Sequence, residues 1–376
     1  MSKLGEIQNF LNINMKNKYV LFISILFITA CKSTVNELEN KLFVSVSAEQ
    51  TGVTFENRLI ETAEWNIIQY LYFYNGGGVA VGDINDDGLP DIYFTANQGS
   101  NKLYINKGDL TFEDVTEKAG VADVEGWKTG VTMVDINGDG QLDIYVCHVS
   151  NYKNIAGKNR LFINNHGVFT DKAAEYGLDA TGLCTQAAFF DSDGDGDLDC
   201  YLMRHSIHSP SSYRPVKFRM DNDSLSSDIL FRNFGSHHFA DISKEANIHD
   251  GSLGYGLGLA VGDINADGAP DIYVGNDFHD NDYLYYNDGK GKYTEGVNNS
   301  MGHNANFSMG NDLADFNNDG RLDFIGLDMK PEEETILKQS GGAESYNIFD
   351  YKNTEFIPNL AGRLIWASVK VQFNKK

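Results

Sequence analysis

Basic residues are scarce in this chain: 30 Lys and Arg stand against 53 Asp and Glu, giving a formal net charge of −23. Phosphate recognition needs clustered Lys and Arg, so this balance argues against a nucleic-acid partner. Cysteines number only four. Cys147, Cys184 and Cys200 form no CxxC pair and no zinc spacing, and they read as buried thiols with room for one disulfide in an exported protein. No apolar run approaches the roughly 20 residues that a membrane-spanning helix needs. There is no HExxH, no nucleophile elbow and no carboxylate pair whose proximity the sequence fixes. Gly254-Tyr255-Gly256-Leu257-Gly258 lacks GxGxxG spacing and precedes a strand-like run, so it reads as close strand packing.

What the chain has instead is a nine-residue acidic loop, present five times. The first copy runs Asp83-Ile84-Asn85-Asp86-Asp87-Gly88-Leu89-Pro90-Asp91; the others are DINGDGQLD (135–143), DSDGDGDLD (191–199), DINADGAPD (263–271) and DFNNDGRLD (315–323). Ca²⁺ takes six to eight oxygens at about 2.3–2.6 Å. Position 1 offers Asp83, Asp135, Asp191, Asp263 and Asp315. Position 3 offers Asn85, Asn137, Asp193, Asn265 and Asn317, and position 5 offers Asp87, Asp139, Asp195, Asp267 and Asp319. The backbone carbonyls of Leu89, Gln141, Asp197, Ala269 and Arg321 can join at position 7. Asp91, Asp143, Asp199, Asp271 and Asp323 then close the shell at position 9. Gly at position 6 supplies the φ > 0 of a sharp turn. These are calcium loops, and five bound ions would bring the formal charge from −23 to about −13.

An EF-hand is excluded. It needs a bidentate Glu at position 12 and helices on both sides, whereas position 12 holds Phe94, Val146, Leu202, Val274 and Gly326. The flanks, such as Val131-Thr132-Met133-Val134 and Ile144-Tyr145-Val146, are short β-branched and aromatic runs that read as strands. Loop starts lie 52, 56, 72 and 52 residues apart, a period that points to a propeller. Between loops a second pattern recurs, as in Asn101-Lys102-Leu103-Tyr104-Ile105-Asn106 followed by Thr111-Phe112-Glu113, which brings each unit to four strands. Tyr and Phe, 19 and 23 in number, suit β-structure. The predicted fold is all-β: a β-propeller of four-stranded blades with calcium-binding loops, with five clear repeats in an incomplete or six- to seven-bladed ring. The segment 44–55 is expected to add an outer strand.

Residues 1–30 read as a lipoprotein signal peptide. Lys16 and Lys18 precede an apolar run at 19–30, Cys31 follows, and Met15 reads as the start of the basic region. Ile28-Thr29-Ala30-Cys31 resembles the bacterial lipobox, in which the signal is cut before a Cys that becomes lipidated. Acyl chains on Cys31 would tether the protein to a membrane without spanning it. Lys32 stands where an Asp would retain an inner-membrane lipoprotein, which favours the outer membrane, periplasmic or surface-exposed. Residues 31–50 read as a tether, 51–330 as the repeats and 331–376 as a degenerate tail.

The stretch Asn75-Gly76-Gly77-Gly78-Val79-Ala80-Val81-Gly82-Asp83, the five loops, Thr185-Gln186-Ala187-Ala188-Phe189-Phe190-Asp191 and Ser308-Met309-Gly310-Asn311-Asp312 resemble the FG-GAP/VCBS-repeat proteins. Within them the likeness is to the exported branch that carries an ASPIC/UnbV domain and is related to cartilage acidic protein. That resemblance implies a calcium-loaded propeller of the integrin-α type, usually seven-bladed. The chain shows five full loops and no ASPIC/UnbV segment, and so reads as a shortened member.

The expected function is an exported, lipid-anchored, calcium-binding scaffold for binding or adhesion, with a protein or polysaccharide ligand. The competing reading is a calcium-dependent polysaccharide lyase or hydrolase with its site at the central channel. Three further features are weighed. An insertion at 203–225 carries Arg204, Arg214, Lys217 and Arg219 and is read as a solvated loop or a docking site. His205 and His208 form an H-x-x-H without a visible third metal ligand. Asp277, His279, Asp280 and Asp282 cluster in a polar stretch, read as a solvated loop or as acid/base machinery.

Overall fold

In the computed structural model each acidic loop joins two antiparallel strands. The structure describes residues 43–207, 223–248, 252–278, 280–302, 304–305, 307–329 and 365–366. Blade 1 comprises β1 (Val79–Gly82), β2 (Asp91–Phe94), β3 (Lys102–Asn106) and β4 (Phe112–Asp114). Blade 2 follows with β5 (Trp127–Val134), β6 (Asp143–Val149), β7 (Arg160–Asn165) and β8 (Val168–Asp171). Blade 3 has β9 (Cys184–Phe190), β10 (Asp199–Arg204), β11 (Ile229–Asn233) and β12 (Phe239–Asp241). Blade 4 has β13 (Gly256–Gly262), β14 (Asp271–Asn276), β15 (Tyr283–Asn287) and β16 (Tyr293–Glu295). All four are antiparallel meanders in chain order. Blade 5 holds β17 (Ser308–Ala314) and β18 (Asp323–Asp328), with β19 (Ile365–Trp366) lying parallel to β18.

The first strand of each sheet packs beside the first strand of the next, so β1, β5, β9, β13 and β17 line one axis in order. The core lies between blades. Tyr93 and Leu103 of blade 1 meet Val131, Ile144 and Phe162 of blade 2, and Tyr145 and Leu161 of blade 2 meet Leu202 and Phe231 of blade 3. A sheet covered on both faces explains why β6, β10 and β14 are buried at every residue. At the near end of the array this covering stops. Val79 and Val81 are 58% and 61% exposed, because no described blade precedes β1 to do what blade 1 does for Val131 and Met133.

Two polar devices repeat. A Tyr on the second strand buries its hydroxyl against the residue that opens the third-strand motif. Tyr145 Oη donates to the Leu178 carbonyl (2.9 Å) and accepts from Asn159 Nδ2 (2.9 Å), while Tyr201 and Tyr273 donate to Asp228 (2.7 Å) and Asp282 (2.6 Å). Near the axis, Thr hydroxyls cross from blade to blade: Thr95 to the Thr129 carbonyl (2.5 Å), Thr129 to Cys184 (2.7 Å) and Thr185 to Gly256 (3.3 Å). Glycines permit this closeness; a Cβ at Gly258 would lie 2.6 Å from Asn311 Nδ2, in line with the strand-packing reading of 254–258. Cys147, Cys184 and Cys200 are free and buried, and burial holds all three thiols above their usual range.

The strand expected at 44–55 does not form. Ala48–Thr51 is a single helical turn, and Gly52 behind it presses on the Phe112 carbonyl. The helical turns Thr116–Ala119 and Ala173–Tyr176 end in Gly120 and Gly177, which meet the Phe169 and Phe239 carbonyls in the same way. Residues 48–52 therefore repeat the unit that docks one blade onto the outer strand of the next, and periodicity over a few residues could not separate that turn from a strand. Signal, lipobox, insertion core and tail (residues 1–42, 208–222, and most of 330–376) lie outside the described residues.

The last residue of the third-strand motif, Asn106, Asn164, Asn233 or Asn287, ties loop to blade. Asn164 Nδ2 donates to the Leu142 carbonyl of its own loop (3.0 Å) and to the Ile84 carbonyl of the preceding blade's loop (2.9 Å). Replacing Asn164 with Ala leaves one buried and one half-buried carbonyl without their donor and is expected to lower the unfolding free energy by about 2 kcal/mol. The same change at exposed Asn165 should stay within about 0.5 kcal/mol. Urea denaturation compares the two variants, and equal effects would contradict the clasp.

Candidate metal loops

Position 1 follows directly on the inner strand and position 9 begins the second strand, so Gly82 pairs with Asp91 and Val134 with Asp143 at the neck of each hairpin. Between them the chain turns twice through the left-handed region. Position 6 is always Gly, with φ from +84° to +93°. Position 4 is also left-handed, occupied by Asp86 (61°), Gly138 (72°), Gly194 (78°), Ala266 (60°) and Asn318 (59°). Four of those five are Gly, Asn or Asp, the residues that tolerate this conformation, a signal the ligand pattern alone passes over.

The candidate ligands at positions 1 and 5 fold over the turn. Asp83 accepts from the backbone N–H groups of Asp87 (3.1 Å) and Gly88 (2.7 Å), and Asp87 Oδ1 accepts from that of Leu89 (2.9 Å). Loops 2 to 5 repeat all three bonds within a few tenths of an ångström. In loops 1, 2 and 4 the Asn at position 3 donates to the position-5 carboxylate at 2.9–3.0 Å. In loop 3, where position 3 is also an Asp, Asp191, Asp193 and Asp195 each bring a carboxylate oxygen within 4.8 Å of the others. At position 7 the structure brings the N–H groups of Leu89, Gln141, Asp197, Ala269 and Arg321 onto position 5.

Position 9 lies beneath. Asp91, Asp143, Asp199 and Asp271 are at most 1% exposed. Each gives one oxygen to the position-2 N–H (3.0–3.2 Å) and the other to the N–H of the Asn that ends the third strand (2.7–2.9 Å). Burial holds these carboxyls above their usual range, Asp143 at about 6, against the lowering effect of the two backbone donors. No Lys or Arg pairs with them among the described residues. Blade 5 keeps the position-2 bond to Asp323 (3.1 Å) but its position 9 is only half-buried.

The donor set fits Ca²⁺. Every candidate side-chain ligand is a hard oxygen, the three upper carboxylates of loop 3 converge while Asp199 stands outside their cluster, and each carboxylate oxygen that accepts one N–H keeps a lone pair. Loop 3 differs in one respect: Arg232 Nε lies 3.0 Å from Asp193 Oδ2, and Asp193 Oδ1 is buried without a partner. The other blades have Ile105, Ile163 and Tyr286 at the place of Arg232.

The other sequence candidates resolve differently. His205 is fully buried with both ring nitrogens engaged, Nδ1 to the Ser206 carbonyl (2.7 Å) and Nε2 to Tyr70 Oη (2.9 Å), so it has no lone pair for a metal; His208 lies outside the described residues. Asp282 is the Tyr273 clasp, Asp280 accepts from the Tyr283 hydroxyl, and Asp277 accepts from Tyr72 Oη (3.3 Å). All three are buried rather than solvated, and His279 lies outside the described residues.

These loops match known proteins. Residues 83–146 and 263–326 match the FG-GAP-like repeat family, each match beginning at a position-1 Asp. Cartilage acidic protein 1 of Xenopus tropicalis is 33% identical over 208 residues, 54% of this chain and 29% of that protein. The Homo sapiens protein of the same name is 31% identical over 209 residues, 54% and 28% of the two chains. The chain thus spans under a third of the length of these relatives. Among solved structures, an Agrocybe aegerita lectin described as recognising non-reducing terminal N-acetylglucosamine covers 57% of this chain and 49% of its own at 20% identity, with a TM-score of 0.32. That overlap is too loose to bear on function.

Burial holds His205 neutral, with its pKa depressed to about 4 from the ordinary 6.5. A depressed folded pKa gives stability that is present above pH 6.5 and lost as the pH falls toward 4, at most about 3 kcal/mol. Asp277, raised by burial to about 7, titrates in the same window with the opposite sign. The variant His205→Gln isolates the histidine. The stability difference between wild type and His205→Gln should shrink by about 3 kcal/mol between pH 7 and pH 4 in urea melts. A constant difference would contradict a neutral buried His205.

Proposed function

We propose that this chain, an FG-GAP-repeat β-propeller protein, is an exported, calcium-loaded scaffold that is lipid-anchored through Cys31 and binds a protein or polysaccharide ligand. The calcium reading is carried by one observation: four carboxylates are buried at the loop feet with no Lys or Arg partner among the described residues, and in loop 3 three further carboxylates converge above the foot. Isolated buried anions are costly, and a divalent cation above them offsets both that cost and the repulsion among the upper Asp residues. The ion supplies charge neutralisation and a cross-link. The residues supply the geometry: positions 1, 3 and 5 hold it from above, and position 9 hands the constraint to the second and third strands. The scaffold reading is supported by the absence of catalytic motifs in the sequence and by a rigid repeat framework whose loops stand at one rim. Export and anchoring rest on the signal-like residues 1–30 and the lipobox at 28–31.

Ions held at a hundredfold excess over Kd contribute about 2.7 kcal/mol each, and in a fold of this size each kcal/mol moves Tm by about 2–4 °C. Chelation with EGTA is therefore expected to lower Tm by more than about 10 °C. Asp139→Ala removes a position-5 ligand and should depress the calcium-loaded Tm further than Asp86→Ala, which changes position 4, where Ala266 already stands in loop 4. A thermal transition that ignores the chelator sinks the calcium reading.

A further inference from the structure

The loops occupy one end of the axis-lining strands; the other end carries a feature outside the repeat. There the segment containing Trp65, Tyr70 and the 3₁₀ turn Leu71–Tyr74 packs on Trp127, Val149, Leu183 and Tyr255. Against it lies a cavity of about 200 Å³, walled by Tyr70, Tyr72, Trp127, Thr129, Gln186 and His205. Asn75 and Gly77 line it too and are exposed, so it opens to solvent.

We propose that this axial cavity binds one neutral sugar ring, free or at the end of a glycan. The proposal rests on the scaffold reading and narrows its ligand to carbohydrate.

The walls are preorganised. Tyr70, Tyr72, Trp127 and His205 are each at most 7% exposed, and Trp127 meets Tyr70 edge-on at 5.9 Å and Trp65 at 5.1 Å. Their polar tips are mostly used: Tyr70 Oη bonds His205 Nε2 (2.9 Å) and Tyr72 Oη donates to Asp277 (3.3 Å). The tyrosines therefore contribute apolar ring surface, which suits the C–H face of a pyranose. Two polar groups stay unspent. Among the described residues Trp127 Nε1–H is buried without an acceptor and the half-buried Gln186 amide makes no hydrogen bond. Buried donors are nearly always satisfied, so the unpaired indole N–H of a residue that lines this cavity is a donor that a ligand acceptor entering beside it would satisfy. Among the described residues the cavity wall contains no Lys, Arg, Asp or Glu, and burial holds His205 neutral at pH 7. A charged ligand would lose its hydration there with nothing to replace it. A ring with an apolar face, hydroxyl edges and no charge meets all of these conditions.

The test is isothermal titration of the full mature chain in calcium with neutral hexoses, the corresponding uronic acids and neutral polysaccharides. Neutral sugars should bind saturably and their uronic acids at least tenfold more weakly. Gln186→Ala and Trp127→Phe, which keeps an aromatic side chain but removes the N–H with part of the ring system, should each weaken binding about tenfold in variants that still unfold cooperatively. Binding by polysaccharide but not hexose identifies a glycan end as the occupant and still requires the two variants to fail. If polysaccharide binds and both variants bind like wild type, the cavity is not the site although the scaffold reading stands. If no neutral sugar or polysaccharide binds, or if uronic acids bind equally well, the proposal is overturned.

Discussion

The interaction on which the rest of the structure depends is the buried carboxylate at position 9. It begins the second strand, accepts an N–H from the loop above it and accepts another from the end of the third strand. One side chain thus sets the hairpin neck, the seat of the loop and the register of three strands. Its charge is buried, and burial pushes Asp143 up to about 6. The acidic cluster above would worsen that cost on its own. A bound cation would turn the same arrangement from a penalty into a clamp, and this gives a physical reason for a chain with a net charge of −23 to gather 18 of its 53 acidic residues into five small loops.

From that foot the constraint spreads sideways. The Asn whose N–H meets position 9 also reaches, through its amide, the loop of the preceding blade: Asn164 to Ile84 in blade 1 and Asn287 to Ser192 in blade 3. Thr95, Thr129 and Thr185 repeat the linkage nearer the axis. Blade packing is therefore not apolar burial alone. It is indexed by hydrogen bonds that tolerate little sliding, which suits a frame meant to present loops in fixed positions.

Much of this was legible in the sequence because the repeat writes it five times. The alternating acidic positions, the glycine at position 6 and the flanking strands all follow from residue type and spacing, and the motif that runs from Asn or Asp to Asn marks the third strand. What was not legible does not repeat or has no local signature. The aromatic plug around Trp65 and Tyr70 occurs once, so no periodicity announces it. Asp277, Asp280 and Asp282 look like a solvated acidic run in sequence, yet each is buried against a tyrosine hydroxyl, Tyr283 and Tyr273 from the same blade and Tyr72 from far along the chain. The helical turn at Ala48–Thr51 is too short to distinguish from a strand before its docking partner, Phe112, is in place. The two ends of the axis consequently differ: one is a repeated, charged rim, the other a single apolar closure with two unsatisfied polar groups.

The central claim is that the loops are built around a divalent ion, and metal stoichiometry tests it most directly. Elemental analysis of the folded chain after equilibration with calcium and removal of free ion should return close to one calcium per loop, five per chain, with the blade 5 ion leaving first because its position 9 is half-buried. A folded, monodisperse protein that retains no calcium would contradict the account.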